Sequence, residues 1–374
     1  MPQRRDFPTG GEVASEDLVG REYTLKDLFE RVSVQGNPIV LSAPRQTGKT
    51  SVIADLLRRV RKAGGWGVRI DCSRATSIED FAELVAAETY AEAAGQRDAF
   101  AKLGDLLRNI PRPILYHADS DLALAFHSPD RPVSVGHRLA TALGLADRLA
   151  EEKKIRAVVV YDEFPTLRRI SGTLFDQIRA ELQHANKSTA YVYMGSEVGV
   201  LATLFKDRRR MAFRLGTTIE LPPPATTEWV TYIEQRFKEL GLPLANGEAR
   251  RLVTFTGGHP RDLMEVCEHL LTLRKLEPAI PNAIELAQEK TYRGLERNFE
   301  LLWELLEEPK GTRETAVWIA TGGRVYGRGR DAMSVKRSVD KLIDEGIVRK
   351  VDRGQFEFTE PLFGEYVRRT RARP

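Results

Sequence analysis

A glycine-containing loop carries the most specific chemistry in this sequence. Residues 43–50 read Ala-Pro-Arg-Gln-Thr-Gly-Lys-Thr, which matches the phosphate-binding pattern GxxxxGK[ST] except that Ala43 replaces the first glycine. The backbone N–H groups of such a loop, together with the positive end of the following helix, bind phosphate. We expect Lys49 to reach the β- and γ-phosphates of a nucleotide, Thr50 to bind Mg²⁺ and Gly48 to allow close backbone approach. Ala43 is tolerated here unless the loop requires a positive φ at this position.

Two adjacent carboxylates supply the second half of the predicted site. Residues 158–163 read Val-Val-Val-Tyr-Asp-Glu, an apolar strand that ends in Asp162 and Glu163. Parallel α/β sheets bind ligands at the carboxyl ends of their strands. Asp162 would hold Mg²⁺, directly or through water, and Glu163 would polarise the attacking water. The alternative is an ordinary helix start plus a surface acidic pair, but two such motifs in this order favour nucleotide hydrolysis.

Alternating strands and helices must position these motifs. Short apolar runs predict five strands, at residues 38–42, 66–70, 155–161, 190–194 and 217–221. Helical patterns lie between them, notably at 49–62, 77–94 and 137–153. This alternation predicts an α/β fold with a parallel sheet covered on both faces. The proline-rich segment 95–135 has no assigned element.

A change of pattern after the fifth strand predicts further domains. Prolines 222–224 cannot continue a central strand and predict a hinge. Helices predicted at 227–240, 247–256 and 261–274 form a lid. Helices at 296–308, 313–320 and 334–344 then precede two alternating segments around a turn at 352–354, which is typical of a winged helix-turn-helix. The predicted domains are a core at 1–222, a helical lid at 223–294 and a winged-helix domain at 295–374.

The positive charge of the chain is concentrated in its last segment. The 374 residues include 57 Lys or Arg and 53 Asp or Glu, so the formal charge of +4 excludes a histone-like polycation. Residues 313–374 contain fourteen basic and nine acidic side chains, a balance of +5, and the remaining residues sum to −1. A local basic surface is the electrostatic pattern expected of a nucleic-acid-binding domain.

Specific basic side chains of this segment are placed to contact duplex DNA. In the predicted third helix, Val335, Val339, Leu342 and Ile343 repeat with helical spacing and mark a buried face. The predicted DNA-contacting residues lie off that face, on the hairpin and in the preceding loop: Lys336, Arg337, Lys341, Arg349, Lys350, Arg353, Arg328 and Arg330. The alternatives are that these charges only solubilise the domain, or that the domain docks on a protein partner.

The cysteines and the hydropathy pattern limit the class of protein. Cys72 and Cys267 form no CxxC pair, which excludes a zinc ribbon or a thioredoxin-type redox site. Two widely separated cysteines favour a reducing, cytoplasmic location. No apolar run approaches the ~20 residues that a membrane helix needs, so no membrane partner is expected.

Together these residues resemble the AAA+-related archaeal-type ATPase family, which is similar to signal-transduction ATPases with numerous domains and to archaeal origin-recognition initiators. The resemblance covers nearly the whole chain. Residues 18–22 resemble the box that closes over adenine, and residues 43–51 and 158–165 resemble the Walker A and Walker B segments. Residues 193–196 resemble sensor 1, residues 258–261 the Gly-His-Pro signature that opens a lid helix, and residues 360–366 the closing segment of the winged helix.

The resemblance implies an α/β P-loop NTPase fold of the AAA+/ASCE type with an all-α lid, and it implies ATP and Mg²⁺ as ligands. The implied ATP-binding residues are Val19, Gly20, Arg21, Pro44, Arg45, Gln46, Thr47, Gly48, Lys49, Thr50, Ser51 and Arg261. The implied catalytic residues are Glu163, Lys49, Asp162, Ser196 and Arg214, with Mg²⁺ on Thr50 and Asp162. Ser196 and Glu197 stand where Asn is common in AAA+ proteins, so hydrolysis is expected to be slow or partner-stimulated.

The function predicted from the sequence couples ATP hydrolysis to a macromolecular partner. Arg214 falls where such ATPases keep an arginine for a neighbour's γ-phosphate, which implies self-assembly; a surface ion pair, or a finger from residues 208–210, is the alternative. The main prediction is an ATPase that couples nucleotide state to duplex DNA binding through its winged helix. The alternative is a switch in signalling, defence or transposition whose winged helix binds a protein. Tyr161, Phe164 and Trp229 are predicted as packing residues.

Overall fold

The computed structural model describes most of the chain. It covers residues 6–43, 46–94, 113–118, 121–126, 134–182, 188–196, 201, 216–327 and 331–372. Within these ranges, no helix is long and apolar enough to cross a membrane.

A five-stranded parallel sheet forms the centre of the N-terminal part. Its strands are β1 (Ile39–Ser42), β2 (Trp66–Asp71), β5 (Ala157–Asp162), β6 (Thr189–Gly195) and β7 (Thr217–Glu220), in the spatial order β2-β5-β6-β1-β7. The five predicted strands and the α/β P-loop NTPase fold are therefore confirmed. Because β6 lies between β1 and β5, the phosphate-loop strand and the acidic strand are separated by one strand, and both end at the same edge.

Helices cover both faces of this sheet. They are α1 (Glu22–Phe29), α2 (Lys49–Lys62), α3 (Ile78–Ala94), α4 (Val135–Leu143), α5 (Leu145–Lys153) and α6 (Leu174–Leu182), with a π-helix at Glu30–Gln35 directly after α1. One face of the sheet packs with α1 and α2, and the other packs with α3, α4, α5 and α6. The apolar strands predicted this two-sided burial, because a strand buried on both faces needs no polar alternation.

The predicted single helix at 137–153 is wrong. The chain forms α4 and α5, which meet at Gly144. Gly144 has φ −77° and ψ −6°, away from regular helical values, and its N–H donates to the carbonyl oxygen of Ala140. Glycine in a helix interior costs about 1 kcal/mol relative to alanine, which favours a break between two helices at this position.

The unassigned segment 95–135 contains an antiparallel hairpin. Its strands are β3 (Pro113–Ala118) and β4 (Asp121–Phe126), and Pro113 pairs with Phe126 at the open end. The sequence predicted no element here, and most of the remaining segment lies outside the described residues.

A helical unit follows the prolines at 222–224. Its helices are α7 (Thr226–Glu239), α8 (Glu248–Thr256), α9 (Pro260–Leu276) and α10 (Ala283–Glu304). Apolar side chains from all four helices form one core that includes Trp229, Ile233, Phe237 and Leu263. The three predicted lid helices are present at α7, α8 and α9.

Helix α10 crosses the predicted boundary at residue 294. Ala283, Ile284 and Ala287 on its first half pack in the lid core. Leu295 and Phe299 on its second half pack in the next core along the chain. The lid and the C-terminal part therefore share one helix, which begins at Ala283 rather than near residue 296.

The last part of the chain has the predicted order of elements. Helices α11 (Thr312–Ala320) and α12 (Ala332–Asp344) precede strands β8 (Val348–Asp352) and β9 (Gln355–Phe358), and α13 (Pro361–Thr370) follows. The two strands are antiparallel, and Gly354 in their turn has φ +73°. Val335, Val339 and Leu342 are buried as predicted. Residues 305–372 are called the C-terminal unit below.

Candidate active site

A cavity of about 840 Å³ lies at the carboxyl edge of the sheet. It is built where β1, β2, β5 and β6 end, and loop residues 46–51, Ser73, Glu163 and Ser196 line it. The remaining part of the cavity wall comes from the predicted lid, through Pro224, Trp229, Pro260, Arg261 and Met264. Phosphate loop, acidic strand, sensor segment and lid thus meet at one cavity, as the sequence predicted.

The phosphate loop has the geometry of an anion-binding turn. Gly48 has φ +88° and directly precedes α2, and the first residues of this helix, at the positive end of its dipole, line the cavity. Lys49 is 6% exposed, and its Nζ donates to the carbonyl oxygen of Ala43 at 2.8 Å. Ala43 is not among the described residues with positive φ, so it fits the loop without strain. Pro44 and Arg45 lie outside the described residues.

Asp162 ends β5 and is 5% exposed; it is not among the residues that line the cavity, whereas the next residue, Glu163, is. Its Oδ1 accepts from the Glu163 N–H at 2.9 Å, and its Oδ2 accepts from Arg69 Nε at 3.0 Å. Burial raises the pKa of the Asp162 carboxyl, and the Arg69 guanidinium opposes this rise. Two donors therefore fix the orientation of this carboxylate before any ligand is bound.

Glu163 and Ser196 form a direct pair across two neighbouring strands. The Ser196 N–H donates to Glu163 Oε2 at 3.1 Å, and the Ser196 hydroxyl donates to Glu163 Oε1. Glu163 has φ +48°, a conformation that costs a non-glycine residue roughly 1–2 kcal/mol. Such strain is concentrated at functional sites, where the surrounding structure enforces it. Two of the residues predicted as catalytic, Glu163 and Ser196, are therefore in direct contact, and Ser196 engages both Glu163 oxygens.

Three of the five residues of the predicted adenine box, residues 18–22, lie at the cavity. Leu18, Val19 and Arg21 line it, whereas Gly20 is not among the lining residues. A β-carbon on Gly20 would lie 2.6 Å from Glu228 Oε2, so glycine allows the box to approach the start of α7. The Arg21 guanidinium donates to the carbonyl oxygens of Pro222 and, at 3.1 Å, Thr47.

Arg21 thereby joins the hinge to the phosphate loop. It is a buried cation, and burial lowers its pKa to about 10, with Glu228 opposing the change. This residue stabilises the arrangement of the loop relative to the lid.

Sequence reasoning missed the N-terminal segment, residues 6–17. Pro8, Thr9, Gly10, Gly11, Val13 and Asp17 line the cavity. At one end, the Phe7 ring packs 5.1 Å from the Phe237 ring of the lid, and the Asp6 carbonyl accepts from Arg236. At the other end, the Val13 N–H donates to Ser51 Oγ at 3.2 Å. The segment crosses the cavity from lid to phosphate loop, and its composition gives no local signal of this long-range contact.

Comparison with known proteins agrees with this geometry. Residues 17–194 match the model of the AAA ATPase domain family. This matched segment is similar to an AAA ATPase domain and is called the AAA ATPase domain below. No curated protein matches the chain significantly.

Similarity to solved structures covers nearly the whole chain and not only the AAA ATPase domain. A Walker-type ATPase of Pyrococcus abyssi is 17% identical with a TM-score of 0.72, and the match covers 97% of this chain and 100% of that one. The ORC2 protein of Aeropyrum pernix, in ADPNP–ADP complexes, is 15% identical with a TM-score of 0.57, covering 98% and 96%. These matches establish a shared fold that includes the lid and C-terminal unit, and they agree with the predicted archaeal-type ATPase resemblance.

The hydroxyl oxygen of Thr50 and the carboxylate oxygens of Asp162 are the types of ligand that a magnesium ion prefers. Thr50, which carries a hydroxyl, lines the cavity, and Asp162 directly precedes the lining residue Glu163. Each Asp162 oxygen accepts one protein hydrogen bond and keeps a further acceptor position for a metal-bound water. Mg²⁺ prefers such oxygen ligands and retains several waters. Thr50 and Asp162 are therefore suited to the metal that accompanies ATP.

Thr166, Arg169 and Trp229 line the cavity as well and were not predicted as ligands. Thr166 and Arg169 lie on the 3₁₀ segment Phe164–Arg169. Trp229 was predicted as packing, and it does pack in the lid core, but its ring also lines the cavity. Arg214 and residues 208–210, the candidates for a finger arginine, lie outside the described residues, as does Glu197.

Those predicted DNA-contacting residues that the structure describes lie on α12 and the hairpin. Lys336, Arg337, Arg349, Lys350 and Arg353 are exposed. Two of the predicted cations have carboxylate partners, because Lys341 pairs with Glu345 at 2.5 Å and Arg349 pairs with Glu357 at 3.1 Å. Arg328 and Arg330 lie outside the described residues.

Proposed function

We propose that this protein binds and hydrolyses Mg-ATP, and that the nucleotide state controls duplex DNA binding by its C-terminal unit. Lys49 would hold the β- and γ-phosphates, and Thr50 and Asp162 would bind the magnesium ion that neutralises phosphate charge. Glu163 would polarise the attacking water once one of the two Glu163 carboxylate oxygens is no longer hydrogen-bonded to Ser196. What supports these roles is that Lys49, Thr50, Glu163 and Ser196 line one cavity and that Asp162 directly precedes Glu163.

One contact carries the coupling between nucleotide and C-terminal unit. Gly346, just before β8, has φ +69°, and a β-carbon on it would lie 3.2 Å from the Ser196 carbonyl oxygen. Ser196 is the same residue that holds Glu163 through its N–H and hydroxyl. A shift of the hairpin would therefore act directly on the catalytic pair, and a change at Glu163 would act on the hairpin.

A second contact joins the C-terminal unit to the lid. Glu360, the residue before α13, lies against the start of α9; burial raises the pKa of Glu360 to about 7, and Asp262 adds to this rise. His259 and Arg261 oppose it. Because Arg261 also lines the nucleotide cavity, a ligand phosphate that attracts Arg261 would weaken its interaction with Glu360.

Charge supports DNA as the partner. The exposed cations Lys336 and Arg337 lie on the solvent side of α12, opposite its buried face. Arg349, Lys350 and Arg353 lie on the adjacent hairpin, in the position of the wing in a winged helix-turn-helix. Helix and wing cations at this spacing suit phosphate contacts along a duplex. The alternative partner is a protein bound by the same surface, in a signalling, defence or transposition switch.

The proposal also includes self-assembly, in which Arg214 of one copy would act at the nucleotide site of a neighbouring copy. If Arg214, or an arginine of residues 208–210, completes the site of a neighbouring subunit, hydrolysis requires contact between copies. Turnover would then depend on protein concentration.

Phosphate release from ATP tests the catalytic half of the proposal. We expect wild-type protein with Mg²⁺ to release phosphate, and EDTA to abolish the release, because the metal neutralises charge on the reacting phosphates. Turnover per subunit should rise with protein concentration if an arginine acts between subunits. Release that persists in EDTA would contradict the magnesium site, and turnover independent of protein concentration would contradict the shared site.

A further inference from the structure

Arg69 occupies an unusual place for a cation, beside the predicted metal ligand. It lies on β2, which pairs in parallel with β5 so that Asp71 is opposite Asp162. Alternate residues of a strand point to the same face, so Arg69 and Asp71 share a face of β2. The Arg69 side chain runs toward the strand end and donates from Nε to Asp162 Oδ2 at 3.0 Å.

A second contact holds the other end of the same guanidinium. Arg69 Nη1 pairs with Glu12 Oε1 of the N-terminal segment at 2.6 Å. The next residue, Val13, donates its N–H to Ser51 Oγ, next to Thr50. The guanidinium is thus held from both sides, between the segment that crosses the cavity and the strand that ends in Asp162.

Asp162 depends on this arginine for its orientation. The side chain of Asp162 is 8% exposed, and that of Arg69 is 31% exposed. Without Arg69, the carboxylate keeps only the Glu163 N–H as a hydrogen-bond donor among the described contacts. One donor leaves rotation about the Cβ–Cγ bond free, whereas two donors fix the plane of both oxygens. A buried carboxylate that loses its cation is also strongly destabilised.

We propose that Arg69 is a positioning residue that presents the Asp162 carboxylate to the magnesium ion of Mg-ATP. This inference rests on the proposed function, because it concerns the metal that the AAA ATPase domain would bind with ATP. Arg69 does not line the cavity, so we expect it to act on Asp162 and not on a phosphate group. Its effect is on metal affinity, and affinity for metal-free nucleotide is set by the phosphate loop.

The test measures metal binding separately from nucleotide binding. ADPNP affinity is measured by calorimetry in EDTA; in a separate sample free of EDTA, Mn²⁺ binding to the ADPNP complex is followed by the loss of the free-ion EPR signal, with ADPNP alone as the blank. For Arg69→Gln we expect metal-free ADPNP affinity within about 2-fold of wild type, which also verifies the fold. We expect Mn²⁺ affinity to fall about 10-fold, equivalent to about 1.4 kcal/mol.

Three variants separate charge, geometry and general surface effects. Arg69→Lys keeps the positive charge but lacks the planar guanidinium group that contacts both Glu12 and Asp162. Its Mn²⁺ affinity should therefore lie between that of Arg69→Gln and that of the wild type. Glu12→Gln keeps the bond from Arg69 to Asp162 and should lower Mn²⁺ affinity less than Arg69→Gln. Arg74→Gln removes a nearby arginine that pairs with Glu88 at 2.9 Å, and should leave Mn²⁺ affinity unchanged.

The outcomes distinguish this inference from the proposed function. If wild-type protein binds ADPNP and Mn²⁺ but Arg69→Gln binds Mn²⁺ equally well, the positioning role of Arg69 is wrong and the proposed function stands. A gain of Mn²⁺ affinity in Arg69→Gln would also overturn it, because Arg69 would then compete with the metal. If wild-type protein fails to bind ADPNP, the proposed function itself is wrong.

Discussion

Replacing Glu163 by glutamine should lower ATP turnover by at least about 100-fold and leave ATP bound, because general-base action contributes roughly 10²–10⁴-fold to rates. Glutamine keeps the size of the side chain and can still accept from Ser196, so the cavity should retain its shape. Phosphate release and equilibrium ATP binding, measured on one preparation, give the two readouts. Glu181→Gln is the matched control, since Glu181 is exposed on α6 and does not line the cavity.

Lys49→Ala gives the contrasting result at the same site. Lys49 is the buried cation of the phosphate loop. Its loss should abolish nucleotide binding, whereas Glu163→Gln should keep ATP bound without hydrolysing it. Unimpaired ATP affinity in Lys49→Ala would contradict the phosphate-site assignment. Undiminished turnover in Glu163→Gln would show that another group activates the water.

Reversing two charges on α12 should weaken duplex DNA binding on the order of 10-fold or more at 0.1 M salt. The double variant Lys336→Glu and Arg337→Glu removes two exposed cations and leaves the buried face of α12 intact. Each lost phosphate contact should also reduce the slope of log K against log salt by about 0.9. Fluorescence anisotropy with a labelled duplex over a salt series measures both quantities.

A charge-matched control separates a specific DNA surface from overall charge. Lys290→Glu with Arg297→Glu makes the same change in net charge on exposed positions of α10. This control should keep wild-type affinity and slope. Equal weakening by both pairs would contradict a DNA site on α12 and the hairpin, and unchanged binding in the α12 variant would indicate a different surface.

Local patterns made most of the site predictable from the sequence. The phosphate loop, the strand that ends in Asp162 and Glu163, and the residues 193–196 each combine an apolar strand with the polar residues that directly follow it. A parallel sheet brings such strand ends to one edge, so the order of motifs predicted their meeting point. The helix α12 was predictable for the same reason, because its buried face repeats with helical spacing.

Contacts between distant segments had no comparable signal. Glu12, Arg69 and Asp162 form a chain of ion pairs only after β2 packs beside β5 and the N-terminal segment crosses the cavity. Gly346 and Ser196 meet only because the C-terminal unit packs against the end of β6. The break at Gly144 and the continuity of α10 depend on packing that helical periodicity alone does not determine.

Duplex DNA binding by the Glu163→Gln protein, with and without Mg-ATP over a salt series, tests the central claim most directly. Nucleotide and DNA must bind with mutual free-energy coupling if the contact between Gly346 and Ser196 transmits nucleotide state. We predict that Mg-ATP changes DNA affinity by at least about 5-fold, the lower end of typical coupling, with a steep salt dependence in both states. Equal DNA affinity with and without Mg-ATP would contradict the coupling, and absence of DNA binding at low salt would contradict DNA as the partner.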